Sequence, residues 1–148
     1  MNGLENWLAL YFGEKAPQLP PKAKEVIVKI APWLVLLGIL LSLPAILSLL
    51  GLGTLGASWM MWAGVTGGSY YLWLILMVAV VVLEVIALPG LFHRTRKGWL
   101  FAFYAVLVSA VQNLVMMNIG ALIIGLLIGL YFLFQVRSHY HSASTSTD

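Results

Sequence analysis

Long runs of apolar residues, separated by short polar segments, dominate the chain. The first run covers about 30–52 and the second about 70–88. Each run is long enough to cross the ~30 Å hydrocarbon core of a bilayer as one α-helix. Pro44 lies inside the first run and predicts a kink, and the second run ends at Pro89. The pattern predicts two membrane-spanning helices.

A third apolar stretch, Trp99–Val136, contains no charged residue. As a single helix it would be about 57 Å long, nearly twice the thickness of the hydrocarbon core. We therefore expect it to reverse direction near Asn118–Gly120, which gives two further spans at about 99–117 and 119–136. The predicted fold is an all-α integral membrane protein with a bundle of four transmembrane helices.

An amphipathic pattern precedes the first span. Leu4, Trp7, Leu8 and Tyr11 follow the spacing of one helical face, which predicts a short helix in the membrane interface. Packing of this face on the cytoplasmic end of the bundle is the alternative. The predicted organisation is a surface helix with a proline-rich connector at 1–20, a membrane domain at 21–137 and a flexible polar tail at 138–148.

The basic residues fall in three segments that four spans would place on one side of the membrane. Such an asymmetry marks the cytoplasmic side, so both termini are expected there. In a bacterial cell the membrane would be the inner membrane. The neutral, glycine-rich segment at 53–69 would then lie outside, as an interfacial half-helix or as a re-entrant loop. The eight basic residues are Lys15, Lys22, Lys24, Lys29, Arg94, Arg96, Lys97 and Arg137.

Composition agrees with an embedded protein. Hydrophobic residues make up 61% of the chain and charged residues 9%, against roughly 25% charged in soluble domains. The net charge of +3 comes from residues that flank spans, so lipid headgroups are the expected partners rather than nucleic acid. Arg94, Arg96 and Lys97, between the second and third spans, are the candidate headgroup contacts.

Glu84 is the one acidic or basic residue inside the predicted spans. A charged carboxyl facing lipid is costly, so Glu84 is expected to face the bundle. Counting equal depth along antiparallel helices places Gly38, Tyr104 and Tyr131 in the same layer. This layer is either a proton or cation relay or a hydrogen-bonded structural carboxyl, and a carboxyl close to the interface could instead reach Arg94.

Small and polar residues suggest where the spans pack together. Gly38 and Ser42 form a small face on the first span, and Ala121, Gly125 and Gly129 recur every four residues on the last. We expect the second set to pack on the first span, with a contact between subunits as the alternative. Gln112 and Asn113 form an outer polar layer that bridges helices or, alternatively, lines a pore.

No nucleophile–base motif, phosphate-binding loop or metal-ligand motif occurs in the sequence. We therefore expect a non-enzymatic protein without cofactor or metal, acting as an accessory or scaffold subunit of a membrane assembly. Its partner would be another membrane protein or a second copy of the chain. The alternative is a proton- or solute-linked transporter or channel component that uses Glu84. A lipid-modifying enzyme is a third and weaker hypothesis.

Overall fold

Every regular element is a helix in the part of the chain that the structure, a computed structural model, describes: residues 2–49 and 69–140. The helices are α1 (Asn2–Leu8), α2 (Pro21–Leu49), α3 (Ser69–Phe92), α4 (Arg96–Val115) and α5 (Ile119–Gln135). A π-helical segment, Ala9–Lys15, continues α1, and a 3-10 turn, Arg137–His139, follows α5. Most of the segments predicted at 53–69 and at 138–148 lies outside the described residues.

Three of these helices are long and apolar enough to cross a membrane: α2, α3 and α4, with 29, 24 and 20 residues. α5 is equally apolar but has 17 residues. α2 continues through both of its prolines, Pro32 and Pro44. α3 runs to Phe92, past the Pro89 at which the sequence predicts the end of the second span. The four apolar helices differ from the predicted spans mainly at their ends.

Consecutive helices pack side by side and antiparallel: α2 on α3, α3 on α4, and α4 on α5. Gly38 of α2 faces the Glu84 carboxyl of α3, and further along the same pair Trp33 meets Phe92 edge-on. On the other side of the molecule, Gly129 of α5 packs against Val106 of α4.

The hairpin between α3 and α4 is closed by two glycines whose backbones touch. A Cβ on Gly98 would lie 2.3 Å from the carbonyl carbon of Gly90, so no larger residue fits without moving a helix. Thr95 caps α4, because its hydroxyl accepts a hydrogen bond from the Gly98 amide. The backbone amide of Thr95 donates to the Gly90 carbonyl at 2.8 Å. Three residues within nine consecutive positions, Gly90, Thr95 and Gly98, therefore set the geometry of the hairpin.

The turn between α4 and α5 occupies Met116–Asn118, beside the position expected from the length of the apolar stretch. Met117 adopts a left-handed conformation with φ of 56°. The backbone amide of Asn118 donates to the backbone carbonyl of Asn113, and this hydrogen bond closes the end of α4. The Asn118 side chain then accepts from the Ala121 amide and caps α5. Local turn chemistry therefore ends one helix and begins the next within three residues.

The core lies at the end of the molecule where α4 begins and α5 ends. Trp99 is 0% exposed, stacks on Phe103 and meets Phe134 edge-on. The N-terminal segment, residues 2–20, covers this core. Leu8 is buried in the core, and Gly13 lies beside the Phe134 carbonyl. Of the predicted apolar stripe only Leu8 is buried, whereas Leu4, Trp7 and Tyr11 are exposed.

Candidate ligand-binding cleft

A cleft of about 610 Å³ lies among α2, α3, α4 and α5. Its lining follows α5 from Ala121 to Leu133, which is about 18 Å of helix, and continues to Val136 just beyond it. α2 contributes residues between Val26 and Val35, and α3 contributes Glu84, Ala87 and Leu91. The cleft therefore begins beside the core and continues along α4 and α5 toward the opposite end.

The walls of the cleft are almost entirely apolar, and one side is open. Val26, Ile30 and Leu34 lie four residues apart on α2, line the cleft and are between 45% and 61% exposed. Their exposure means that the cleft can be entered sideways, from whatever surrounds the helices.

Glu84 is the one acidic residue among the described residues that line the cleft, and none of them is Lys, Arg or His. It lies eight residues before the end of α3, which is about 12 Å along the helix. A Cβ on Gly38 would be 3.9 Å from its Oε2 atom, so the glycine leaves room for the carboxyl. Within residues 2–49 and 69–140 no hydrogen-bond donor meets this carboxyl.

Tyr131 and Tyr104 are the two tyrosines predicted in the layer of Glu84. The Tyr131 hydroxyl donates to the Pro17 carbonyl at 2.7 Å and so fastens the connector to α5. The Tyr104 ring packs against Phe101 and Phe103 on its own helix. The structure therefore brings Gly38 to Glu84, whereas Tyr131 is hydrogen-bonded to the N-terminal segment.

The small residues of α5 divide between two surroundings. A Cβ on Gly129 would approach Val106 to 3.2 Å, so Gly129 is needed for the contact with α4. Gly125 and Ala121 line the cleft, and a Cβ on Gly125 would meet nothing within 4 Å. Gly129 thus packs on α4, whereas Ala121 and Gly125, expected from the sequence to pack on the first span, border the cleft. On α2, the Ser42 hydroxyl donates to the Ile39 carbonyl of its own helix.

The two polar residues of α4 that the sequence predicts as an outer layer make different contacts. The Gln112 amide donates to the Trp73 carbonyl of α3 at 3.4 Å, which bridges the two helices. The Asn113 amide donates to the Ser109 carbonyl at 2.8 Å, and both residues line the cleft. Asn113 thus keeps a carbonyl oxygen that can accept a hydrogen bond from a molecule in the cleft.

Ion pairs gather the basic segments at the core end of the molecule. Glu5 of α1 accepts from Arg96 at 2.5 Å and from Arg137 at 2.7 Å, and its side chain is 13% exposed. Arg94 pairs with Glu25 at the start of α2. Arg94 and Arg96, which were expected to meet lipid headgroups, are therefore paired with carboxylates within the chain, while Lys97 is exposed.

Sequence reasoning missed three residues that hold this end together. Gln135 is 2% exposed, and its amide accepts from the Leu19 amide and donates to the Phe12 carbonyl. The Trp99 indole donates to the Leu133 carbonyl while the Arg96 and Arg137 guanidinium groups lie over its ring. Burial in the same cluster raises the pKa of the Tyr140 phenol. For Gln135, the signal in the sequence was a polar residue at the end of an apolar run.

Among residues 2–49 and 69–140, no group of three or more His, Asp or Glu could hold a metal ion. Comparisons of this chain with protein-family models, with curated proteins and with solved structures find no match.

Proposed function

We propose that the chain is a four-span integral membrane protein with its basic segments and both termini on the cytoplasmic side. Three long apolar helices and the antiparallel packing of α5 on α4 support this topology. The 17 residues of α5 fall at the lower limit of about 17–25 for a spanning helix. The pairs of Glu5 with Arg96 and Arg137 support it independently, because they bring separate basic segments to one end.

The N-terminal segment fits the headgroup region next to that end. Its inner side is held by Leu8 and Glu5, while Trp7 is 55% exposed and Tyr11 is 44% exposed. Lys15 lies 4.6 Å from the centre of the Tyr11 ring. Aromatic rings beside a lysine are characteristic of the membrane–water interface. We therefore place the outer side of this segment in contact with lipid headgroups, together with Lys97.

The protein's role, in this proposal, is that of an accessory or scaffold subunit. The observation that carries it is the small-residue side of α5 formed by Ala121 and Gly125, where a Cβ on Gly125 would meet nothing within 4 Å. Small residues on a membrane helix allow a second helix to approach closely, and association of such helices depends on packing. A partner helix, from another protein or from a second copy, would complete this surface.

The test is the stoichiometry of the protein purified in mild detergent, measured by native mass spectrometry. We expect a complex of fixed composition that is lost in Gly125→Leu, because the leucine occupies the space a partner helix needs. Ile124→Phe is the matched control, since Ile124 is 60% exposed on the neighbouring face. A monomer in all three proteins would contradict the accessory role.

A second candidate, a proton- or solute-linked transporter or channel component, is favoured by one observation. Glu84 lines the cleft at about 12 Å from the end of α3 without a donor among the described residues. In reconstituted liposomes, Glu84→Gln should abolish any proton-coupled flux, whereas Glu14→Gln should retain it because Glu14 is exposed outside the cleft. Flux that survives Glu84→Gln would exclude this candidate.

A further inference from the structure

The Glu84 carboxyl needs a partner that the described part of the chain does not provide. A carboxylate at membrane depth is stabilised by a nearby positive charge or by hydrogen-bond donors, and without them the carboxyl takes up a proton. The nearest end of the molecule holds Arg94, but that guanidinium pairs with Glu25. Tyr131, which has the right depth, donates to Pro17. The carboxyl instead faces Gly38 and the open cleft.

The size and chemistry of the cleft are those of a small-molecule site. Its volume of about 610 Å³ lies within the roughly 300–1,000 Å³ typical of such sites, which are mostly apolar with few polar groups. Besides the hydroxyls of Ser109 and Tyr140, which can donate or accept, the polar side-chain groups in the lining are the Glu84 carboxyl and the Asn113 amide, whose carbonyl oxygen is an acceptor. With no Lys, Arg or His among its described lining residues, the cleft suits a cation and disfavours an anion.

The remaining lining residues define the body of the ligand. Val26, Ile30 and Leu34 line the open side, so a ligand arrives through the surroundings of the helices and must itself be lipophilic. Phe132 provides an aromatic ring in the same cleft, and aromatic faces attract organic cations. Gly38 and Gly125 leave free space beside and beyond the carboxyl.

We propose that the cleft binds a lipophilic organic monocation, with its charge paired to Glu84 and its apolar body against α2 and α5. This goes beyond the accessory role, because it requires no protein partner; a partner helix packed against Gly125 would compete with the ligand for the same space. It also names the class of solute that the transporter alternative would use, without requiring transport.

The test is equilibrium dialysis of tetraphenylphosphonium against the full chain in phosphatidylcholine nanodiscs, with protein-free nanodiscs subtracted. We expect saturable binding at one site per chain. Glu84→Gln should weaken it at least about tenfold, which corresponds to ~1.4 kcal/mol. Glu14→Gln, a matched change of an exposed carboxyl outside the cleft, should bind like the wild type. Tetraphenylborate, an anion of the same shape, should show no saturable binding.

A second variant keeps the test decisive if Glu84→Gln does not fold. Gly125→Phe leaves the carboxyl in place and fills the cleft, and its side chain starts in open space. It should weaken tetraphenylphosphonium binding by at least about tenfold, again ~1.4 kcal/mol, while the thermal unfolding midpoint stays near the wild-type value.

Equal affinities for wild type, Glu84→Gln and Gly125→Phe would overturn the proposal, as would equal binding of tetraphenylborate or no saturable binding to folded wild type. The accessory role is judged separately by the stoichiometry of the wild-type complex. A stable complex without cation binding would refute only this inference. Cation binding by a protein that is always monomeric would refute only the accessory role.

Discussion

Gln135 fastens the N-terminal segment to α5 through both ends of its amide. It is 2% exposed, accepts from the Leu19 amide at 3.2 Å and donates to the Phe12 carbonyl at 3.0 Å. A buried backbone group that loses its hydrogen-bond partner costs about 1–3 kcal/mol. Gln135 and the hydrogen bond from Tyr131 to the Pro17 carbonyl therefore hold the connector on α5.

Replacing Gln135 with Leu should loosen the connector, because two backbone groups lose their partner at once. We expect faster hydrogen–deuterium exchange of amides between Phe12 and Leu19, including Leu19 itself. Gln112→Leu is the control, since that amide bridges α4 to α3 at the other end of the molecule. Unchanged exchange in Gln135→Leu would show that the segment is held by its other contacts alone.

Glu5 is the carboxyl shared by two arginines, with 13% of its side chain exposed. Glu5→Gln would leave Arg96 and Arg137 close together over the Trp99 ring without a counter-charge. We expect a loss of about 1–2 kcal/mol in the free energy of unfolding, between the values for exposed and buried pairs. Denaturant titration in detergent measures it, with Glu14→Gln as the control. Equal stability of the two variants would contradict the account.

Sequence reasoning located the depth of the candidate site residues better than their direction. The rise per residue and the charge pattern placed Gly38 in the layer of Glu84, and the two face each other. The same arithmetic placed Tyr131 there, but its hydroxyl turns to the Pro17 carbonyl. Depth follows from counting along a helix, whereas direction around the axis depends on which helices touch. The connector that receives Tyr131 has no periodic pattern from which to predict its course.

At the scale of elements, the α3–α4 hairpin shows the same limit. The sequence predicts the end of the second span at Pro89, yet α3 continues to Phe92. Proline tends to end a helix, but here the last turn is held by the contact of Gly90 with Gly98. The turn near Asn118 was predictable because the length of the apolar stretch and the charge pattern both required it.

The contact of Gly98 with Gly90 in the hairpin predicts a difference in stability between alanine substitutions at Gly98 and at Gly120. Gly98→Ala should lower the free energy of unfolding by about 2 kcal/mol or more, because the added methyl would overlap the Gly90 backbone at 2.3–2.6 Å. Gly120→Ala is the matched change, since its Cβ would meet nothing within 4 Å, and should be neutral or slightly stabilising. Thermal unfolding in detergent compares them. Equal midpoints would mean that the two helices can separate at little cost.

At the scale of the whole molecule, the two ends differ in construction. The end where α4 begins and α5 ends holds the aromatic core, the docked N-terminal segment and the ion pairs of Glu5 and Glu25. From this core the cleft extends toward the other end, lined by Glu84 and by the small residues of α5. A four-span topology assigns the first end to the cytoplasm and makes the cleft open into the bilayer.

The most direct test of this topology is to label single cysteines placed before α3, before α5 and after α5, and to determine from which side of the membrane each one reacts. The chain contains no cysteine, so Ser58→Cys, Met117→Cys and Ser144→Cys each give one label site. With a membrane-impermeant maleimide on intact cells or oriented vesicles, Ser58→Cys and Met117→Cys should react from the outer side and Ser144→Cys only from the inner side. If Met117→Cys and Ser144→Cys react from the same side, α5 does not cross the membrane and the four-span account is wrong.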